Sequence, residues 1–193
     1  MIRFENLPPE VMQAMCTPMH LILPPSASST SPTSRSGALY LGSLQAIFDA
    51  PLLSAHAIGA LVQVLDAPWL PSVDAQGPGK MDAYRLDILD STTADLKPHL
   101  EATVRWIDER LRRGVNVLVH CQQGVSRSSA VVIAYLIYTH NMSYDAAFDL
   151  VKRKRACVKP NSGFVKALQE WERQWRPPTS DRPSMRRIQT TPR

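Results

Sequence analysis

His120-Cys121-Gln122-Gln123-Gly124-Val125-Ser126-Arg127-Ser128 is the stretch of this sequence that decides its fold. An apolar, β-branched run over residues 115–119 precedes it, and a long apolar run over residues 130–138 follows it. This order predicts a buried strand, a short loop and a helix. The first turn of a helix presents unpaired backbone N–H groups, which bind phosphate and favour the thiolate form of a cysteine placed among them. The stretch therefore predicts an anion-binding loop that begins at Cys121.

Other interpretations of this loop account for fewer of its residues. A lone buried cysteine is commonly a small core residue, but this does not explain the glycine, the serines and Arg127 that follow. A nucleotide-binding loop would end in Gly-Lys-Ser/Thr. A zinc site would need paired ligands, and Cys16 and Cys157 lie far away in sequence. We therefore expect neither a metal nor a cofactor, and Arg127 offers a planar fork of donors that suits two phosphate oxygens.

A family resemblance rests on this loop and its flanks. His-Cys, five residues, then Arg-Ser resembles the signature of the cysteine-dependent protein tyrosine phosphatases. The flanks resemble the dual specificity branch of that superfamily, in the family's order from about residue 38 to 175: Leu39-Tyr40-Leu41-Gly42-Ser43, Ala134-Tyr135-Leu136, and Pro160-Asn161-Ser162-Gly163-Phe164 with Leu168 and Glu170. The resemblance implies a small dual specificity protein phosphatase that hydrolyses phosphotyrosine and phosphoserine or phosphothreonine through a phosphocysteine intermediate.

Strand and helix patterns alternate along the chain and predict an α/β fold. We expect a single domain with a central, mostly parallel (mixed) sheet of about five strands and helices on both faces, as in the phosphatases it resembles. The expected strands are 38–41, 60–65, 84–88 and 115–119, with 19–23 as a candidate first strand. The expected helices are one near Pro9, a short one over 52–58, one that Asp95 caps, one that ends near His140, one from Ser143 to Arg155, and one capped by Asn161 or Ser162.

Composition divides the chain into three parts. Residues 1–36 form an N-terminal extension whose Pro/Ser/Thr-rich segment is expected to be disordered. If residues 19–23 form a strand, that segment is an insert within the domain; otherwise the N-terminus is an appendage. Residues 37–176 are the predicted phosphatase domain, in which 68–80 form a long loop, and residues 177–193 are a predicted disordered basic tail. Five arginines and one aspartate in 176–193 give that end a net charge of +4, out of +5 for the chain.

The loop supplies most of the candidate site residues. Cys121 is the predicted nucleophile, which attacks phosphorus and forms a phosphocysteine. Arg127 completes a cradle of backbone N–H groups that stabilises the transition state, and the predicted substrate-binding residues are Gln122, Gln123, Gly124, Val125, Ser126 and Arg127. The resemblance implies that the Ser128 hydroxyl supports the departing thiolate, although a serine here is equally explained as a helix cap. His120 is expected to act as a supporting residue that fixes the loop.

A carboxylic acid is needed to protonate the leaving oxygen. Four aspartates precede the loop at a plausible distance. Asp95 is explained as a helix cap, Asp87 as a solvent-facing strand residue, and Asp82 lies at the wrong end of its strand. Asp90 comes just after the carboxyl end of a strand, where α/β folds place site residues, and it matches the position of the family's general acid. We therefore predict Asp90 as general acid and base.

Three further features are left as weaker predictions. Asn161 resembles a family position near the loop, although capping the last helix is the simpler account. The basic run over 152–155 is expected to be a solvated helix end, with a phosphate-steering surface or nuclear-import patch as the alternative. Cys157 is interpreted as a core residue, since a protective disulfide with Cys121 would require proximity in the fold.

Composition also bounds partners and location. No stretch reaches the roughly 18 apolar residues of a membrane span, and no signal peptide is recognised. Three cysteines without a pairing pattern indicate a reducing compartment, so we expect an intracellular protein of the cytoplasm or nucleus, with no membrane or nucleic-acid partner. Phosphoproteins are the expected substrates and a monomer the expected state. The alternatives are a phosphoprotein-binding scaffold with weak catalysis, or a phosphatase of phosphoinositides or RNA 5′ phosphates.

Overall fold

A five-stranded sheet lies at the centre of the fold in the computed structural model, which describes residues 8–26, 35–66 and 81–176. The strands are β1 (Met19–Leu23), β2 (Leu39–Gly42), β3 (Ile58–Val64), β4 (Asp82–Leu86) and β5 (Asn116–His120). Their order is β1-β2-β5-β3-β4, with β1 antiparallel to β2 and the other pairs parallel. The predicted mixed, mostly parallel sheet is confirmed, and residues 19–23 form its first strand.

Helices cover both faces of the sheet. They are α1 (Pro9–Cys16), α2 (Ala50–Ala55), α3 (Lys97–Arg112), α4 (Arg127–His140), α5 (Tyr144–Lys154) and α6 (Ser162–Trp175), and a 3₁₀ helix (Leu44–Phe48) precedes α2. The central strand β5 shows how the faces are divided, because successive side chains of a strand point to opposite sides. Val117 and Val119 pack with α3, α4 and α6 in the larger core, whereas Leu118 packs in a smaller core with Leu53 of α2.

Helix α4 is the structural centre of the larger core. Ten of its residues, from Ser128 to Ile137, are buried, which explains why its sequence is apolar on every side. It ends at Asn141, whose φ of 51° is left-handed and stops the helix. Helix α6 is fixed against it by a hydrogen bond from Trp171 Nε1 to the Ala134 carbonyl, 3.1 Å long. The first turn of α4 is thus held rigidly at the end of β5.

Several predicted element boundaries are wrong. The strand predicted over 84–88 is β4, which ends at Leu86, so Asp87 follows the strand and does not lie within it. The helix expected over 52–58 is α2, which begins at Ala50 because the Asp49 side chain accepts the Leu52 N–H and Pro51 fits the first turn. Ile58 instead begins β3 after a left-handed turn at Ala57. Asp95 is not the N-cap of α3: that position is Leu96, which is fully buried, while Asp95 accepts the Lys97 N–H at 3.1 Å.

Several predictions concern residues outside the described ranges. The loop over 68–80, most of the Ser/Thr/Pro-rich segment and the tail over 177–193 belong to these. At the ends of that segment, the backbone N–H of Ser36 donates to the Ser26 carbonyl at 2.8 Å. Within the described ranges, no helix is long and apolar enough to cross a membrane, and no cluster of side chains suits a metal ion. The domain boundaries at 36 and 176 stay predictions.

Candidate active site

The loop over residues 121–127, called the signature loop below, joins the carboxyl end of β5 to the first turn of α4. Cys121 is 2% exposed at its base. Its Sγ accepts two hydrogen bonds, from the backbone N–H of Gly124 at 3.2 Å and from the Ser128 hydroxyl at 3.1 Å. Two donors aimed at one sulfur stabilise a negative charge on it. Ser128 is therefore brought to the sulfur by the first turn of α4, as its sequence position suggests.

Every carbonyl of the loop from 122 to 126 is hydrogen-bonded to a donor behind the cradle. Leu44 N donates to Gln122 O at 3.1 Å, and Lys159 N donates to Val125 O at 2.8 Å. The Arg155 guanidinium donates to the carbonyls of Gln123 and Gly124, each at 2.9 Å. The Ser129 hydroxyl and Ala130 N bind the Ser126 carbonyl. With its carbonyls held at the rear, the loop directs its N–H groups to the front, where that of Gly124 binds the sulfur and the others can bind an anion.

Gly124 is required by the shape of the loop. Its φ of 67° lies in the left-handed region, which strains residues with a Cβ. A Cβ here would also lie 2.6 Å from the carbonyl oxygen of Gly42, at the end of β2. The predicted inward turn of the backbone at this glycine is present, and the neighbouring strand explains why no larger residue fits.

Arg127 is the first residue of α4, and its side chain lies over the signature loop. Its Nη1 donates to the Ile88 carbonyl at 3.4 Å, and its Nε lies 3.8 Å from Asp90 Oδ2. That separation exceeds a hydrogen bond, and among the described residues the buried Nε has no hydrogen-bond partner. A guanidinium edge with an unused donor beside an amide cradle is ready to receive a phosphate oxygen.

Asp90 is the aspartate, among the four considered from the sequence, that faces the signature loop. Its Oδ1 accepts hydrogen bonds from the Ser126 hydroxyl at 2.7 Å and from Asn161 Nδ2 at 2.8 Å. Asp87 pairs instead with Arg85 at 2.6 Å, and Asp82 lies 3.5 Å from Arg110. Because Oδ1 is occupied by donors, Oδ2 is the oxygen that can carry a proton.

Asn161 performs both of the tasks considered for it. Its Oδ1 accepts the Phe164 N–H at 2.9 Å and so caps α6, while its Nδ2 holds Asp90. Its backbone N–H also donates to the Ser126 hydroxyl at 3.1 Å. The start of α6, the signature loop and the Asp90 segment are thereby joined in one hydrogen-bond network, so the two explanations of this residue are compatible.

His120 is fully buried at the end of β5, directly before Cys121. Burial lowers the pKa of His120 to about 4, and a contact with the Cys121 backbone opposes this only in part. That contact falls short of hydrogen-bond geometry, and within the described ranges neither ring nitrogen has a partner. The imidazole is therefore neutral at physiological pH and packs beneath the loop.

The basic run over 152–155 was expected to be a solvated helix end, and this prediction is wrong for one of its residues. Arg155 is fully buried, because its guanidinium is the rear anchor of the signature loop. Nothing in the sequence distinguishes it from the exposed Arg153 and Lys154, since its partners are backbone carbonyls. Cys157 is buried as expected for a core residue, and burial raises the pKa of its thiol. All three cysteines of the chain are free thiols.

A cleft of about 910 Å³ opens in front of the loop. One wall is formed by α6, where Ser162, Val165, Lys166 and Gln169 share a face at helical spacing. Lys159 lines the same cleft beside the loop. Sequence reasoning missed both lysines, because Lys166 reaches the cleft only through the packing of α6 against α4, and Lys159 only through the contact of its own backbone with the loop.

An α/β fold that holds a cysteine and an arginine six positions apart in an amide-lined loop, with an aspartate at the rim, defines the class of cysteine-dependent phosphatases. Within that class, the family model described as "Dual specificity phosphatase, catalytic domain" matches residues 39–174. The chain therefore belongs to the dual specificity phosphatase catalytic domain family.

Individual relatives agree with this assignment. The chain is 39% identical over 135 residues to dual specificity protein phosphatase MPK-4 of Drosophila melanogaster, an alignment that covers 70% of this chain and 34% of that protein. It is 37% identical over 128 residues to the serine/threonine/tyrosine-interacting protein of Mus musculus, covering 63% of this chain and 55% of that protein. The chain spans 21%, 62% and 34% of the length of three of its curated relatives.

Solved structures share the fold. The human tyrosine phosphatase-like serine/threonine/tyrosine-interacting protein superposes with a TM-score of 0.69 at 32% identity, covering 81% of this chain and 97% of that one. A mouse protein described as a dual specificity phosphatase, crystallised with zinc tungstate, superposes with a TM-score of 0.68 at 30% identity, covering 90% and 93%. Both confirm the predicted fold class.

Proposed function

We propose that this protein is a dual specificity protein phosphatase that hydrolyses phosphotyrosine and phosphoserine or phosphothreonine through a phosphocysteine. The observation that carries this proposal is the constellation around Cys121: two donors on its sulfur, a cradle of backbone N–H groups, Arg127 above it and Asp90 at the rim. These groups supply the nucleophile, the oxyanion stabilisation and the proton that phosphate ester cleavage needs.

In the first step, the Cys121 thiolate attacks phosphorus and the bond from phosphorus to the leaving oxygen breaks. The N–H groups of the signature loop and Arg127 bind the three equatorial oxygens, whose charge is redistributed in the transition state. Protonated Asp90 donates its proton from Oδ2 to the leaving oxygen. The phosphate dianion competes with Asp90 for Arg127, so substrate binding turns the guanidinium from the aspartate toward the substrate.

In the second step, water attacks the phosphocysteine and Asp90, now a carboxylate, accepts a proton from that water. The sulfur–phosphorus bond breaks, and the Ser128 hydroxyl stabilises the thiolate as it leaves. Inorganic phosphate is released and the free enzyme is restored. Both steps use the side chains and the backbone N–H groups of this chain together with one water molecule.

Two observations on relatives and cysteines support the proposal. The mouse relative was crystallised with zinc tungstate, and tungstate is a tetrahedral oxyanion like phosphate. A nucleophilic thiol must stay reduced, and the three free cysteines are suited to a reducing compartment. We accordingly propose an intracellular location, which imaging of the tagged protein would test.

Trapping of the intermediate tests the function directly. We expect rapid quenching of wild-type protein with a ³²P-labelled phosphotyrosine peptide to leave label on Cys121, and Cys121→Ser to show neither label nor turnover. Hydrolysis that persists in Cys121→Ser would disprove the proposal. If the wild type binds the phosphopeptide but does not hydrolyse it, the alternative function of a phosphoprotein-binding scaffold would be favoured.

The choice between protein and non-protein substrates needs a separate comparison. The residues between Cys121 and Arg127 carry no charge, whereas polyanionic substrates favour additional cations in the loop. We expect kcat/KM for phosphotyrosine and phosphothreonine peptides to exceed that for phosphoinositide vesicles and for 5′-triphosphorylated RNA. A reversed order would assign the site to a non-protein phosphate ester.

A further inference from the structure

Arg155 lies behind the signature loop, on the side opposite the cleft. It is the C-cap residue of α5, and its side chain is fully buried. Its guanidinium makes four contacts at 2.8–2.9 Å: with the carbonyls of Gln123 and Gly124 in the loop, with the Thr17 carbonyl, and with Nδ1 of His20. A buried arginine whose guanidinium binds three backbone carbonyls and one imidazole nitrogen has a structural role and is not a surface charge.

The chemistry of the peptide unit shows what these contacts do. In a planar trans peptide, the C=O and the N–H point in opposite directions. The Gln123 carbonyl points back to Arg155, so the N–H of the same peptide, on Gly124, points forward and donates to Cys121 Sγ. The Gly124 carbonyl also points back to Arg155, so the N–H of Val125 points into the cradle. Two consecutive peptide units are therefore oriented by one side chain.

The guanidinium has no carboxylate partner within the described residues. Burial lowers the pKa of Arg155, and the thiols of Cys157 and Cys121 oppose this, yet an arginine stays protonated in proteins. Its positive charge therefore remains behind the cysteine and the two amides. A Cβ at Gly124 would lie 2.9 Å from Nη2, so a larger residue at this position would press against the guanidinium.

The other end of the guanidinium ties the loop to the N-terminal segment. Thr17 directly follows α1 and His20 is the second residue of β1, and both are more than 130 positions away in sequence from Arg155. Because the guanidinium only donates, His20 accepts through Nδ1 and is held with that nitrogen unprotonated. The same segment also contacts the residue before Leu44, whose N–H donates to the loop: the Pro18 carbonyl accepts the Ser43 N–H at 2.8 Å.

We propose that Arg155 is a positioning residue that aims the Gly124 amide at the Cys121 sulfur and the Val125 amide into the cradle for the substrate phosphate, and that residues 17–20 set its position and thereby the activity of the loop. The proposal rests on the phosphatase function proposed above. It assigns to the α1–β1 segment a direct part in anion binding, although no residue of that segment lines the cleft.

Binding of orthovanadate, measured by calorimetry, tests the positioning without requiring turnover. We expect Arg155→Met to weaken vanadate binding and to lower kcat/KM by about 10². Arg155→Lys is expected to stay weakened, because an ammonium keeps the charge but cannot serve two carbonyls at once. Arg153→Met, two positions away on an exposed side chain, is the control and should match the wild type.

A role in folding alone would lower Tm and the active fraction but leave the vanadate affinity and KM of the folded fraction unchanged; this outcome, or full recovery in Arg155→Lys, would overturn the positioning. Where Arg155→Met does not fold, Arg155→Lys decides. A wild type that binds vanadate but does not hydrolyse phosphopeptides would refute the phosphatase function alone, and the vanadate comparison would still decide the role of Arg155.

Variants at His20 test the connection to the N-terminal segment. His20→Leu removes the acceptor for Nη1, and we expect about fivefold weaker vanadate binding, the effect of one hydrogen bond. His20→Asn offers a carbonyl oxygen near the position of Nδ1 and should recover most of that loss. Equal affinity in His20→Leu and wild type would overturn the part assigned to residues 17–20.

Discussion

At the scale of single residues, Asp90 presents two unequal oxygens, one bound by Ser126 and Asn161 and the other left for a proton. We predict that Asp90→Asn lowers kcat by about 10² or more on phosphoserine peptides, whose leaving alkoxide needs protonation. The loss should be much smaller on p-nitrophenyl phosphate, whose leaving group is stable as an anion. Steady-state kinetics on both substrates check this, and equal losses would contradict the role of general acid.

Asn161 allows the cap and the contact to Asp90 to be separated. Asn161→Ser keeps a side-chain oxygen for the Phe164 N–H but loses the donor to Asp90. We predict a nearly unchanged Tm and a kcat/KM lower by about tenfold, because the loss of one hydrogen bond to a charged group has an effect of this size. Asn161→Ala loses both and should also lose about 1 kcal/mol of stability. Full activity in Asn161→Ser would show that the amide only caps α6.

Ser128 donates to the sulfur that must leave in the second chemical step. We predict that Ser128→Ala slows hydrolysis of the phosphocysteine by about 10², comparable to the removal of an oxyanion donor. Stopped-flow measurements should then show a burst of leaving group close to one equivalent of enzyme, followed by slow turnover. A uniform loss of rate without a burst would place the effect in the first step instead.

His120 makes stability depend on pH, because its pKa is about 4 in the folded state, whereas an exposed histidine has an ordinary pKa of 6.5. The unfolded chain binds a proton that the folded chain excludes between these values, so stability is present above pH 6.5 and is lost as pH falls toward 4. We predict a loss of about 2 kcal/mol between pH 7 and pH 5 from this group. Urea unfolding at both pH values measures it.

The matched variants for this measurement are His120→Gln and His99→Gln. His120→Gln should make the free energy of unfolding depend less on pH. His99→Gln replaces an exposed histidine and should leave the dependence as it is in the wild type. Burial also lowers the pKa of His20 and His140, so a smaller decline in the same direction should persist in His120→Gln. An undiminished decline would show that the buried imidazole is not the source.

At the scale of elements, the signature loop depends on Gly124, which adopts a left-handed backbone conformation and lies against the end of β2. Gly124→Ala would place a methyl group 2.6 Å from the Gly42 carbonyl at a φ of 67°. We predict a loss of about 1–3 kcal/mol in stability, the usual effect of strain at such a position, together with weaker orthovanadate binding, because the neighbouring amides must turn. Thermal unfolding and calorimetry measure the two effects, and an unchanged vanadate affinity would contradict the second.

Elements of local character could be predicted from the sequence, and those set by distant contacts could not. The order strand, loop, helix around Cys121 follows from two apolar runs and a loop between them. The buried face of α3 follows from Leu100, Val104, Ile107 and Leu111, which recur at three- and four-residue steps. The start of α2 was missed because a proline both ends and begins helices. The burial of Arg155 was missed because its partners are mainly backbone carbonyls, which every residue carries, so no residue type in the sequence indicates them.

At the scale of the whole molecule, the cleft joins the signature loop to a face of α6 about 10 Å long, from Ser162 to Gln169. Its walls carry the cations Arg127, Lys159 and Lys166 against Asp90. If the substrate is a phosphopeptide, as proposed, it is long enough to follow this face, and we expect residues next to its phosphorylated side chain to meet the lysines. The cations that could bind a negative charge beside the phosphate are thus Lys166 of α6 and Lys159 before it, and not residues of the signature loop.

We therefore predict a preference for substrates with acidic neighbours. Phosphopeptides with glutamate beside the phosphorylated residue should show kcat/KM about three- to fivefold above lysine-containing counterparts, and the difference should shrink at high salt. Lys166→Met and Lys159→Met should reduce it, whereas Lys154→Met, outside the cleft, should not. A preference that survives both cleft variants would assign the selectivity elsewhere.

The anchoring of the loop carbonyls has a consequence for how activity returns after denaturation. Its donors come from Leu44, Ser129, Arg155 and Lys159, and the Arg155 guanidinium also closes a contact across 138 positions of chain. Such long-range closures form late, after local helices. During refolding, the circular dichroism signal of the helices should recover before phosphate ester hydrolysis does. Conditions that unfold β1 locally should abolish hydrolysis while most of the secondary structure persists.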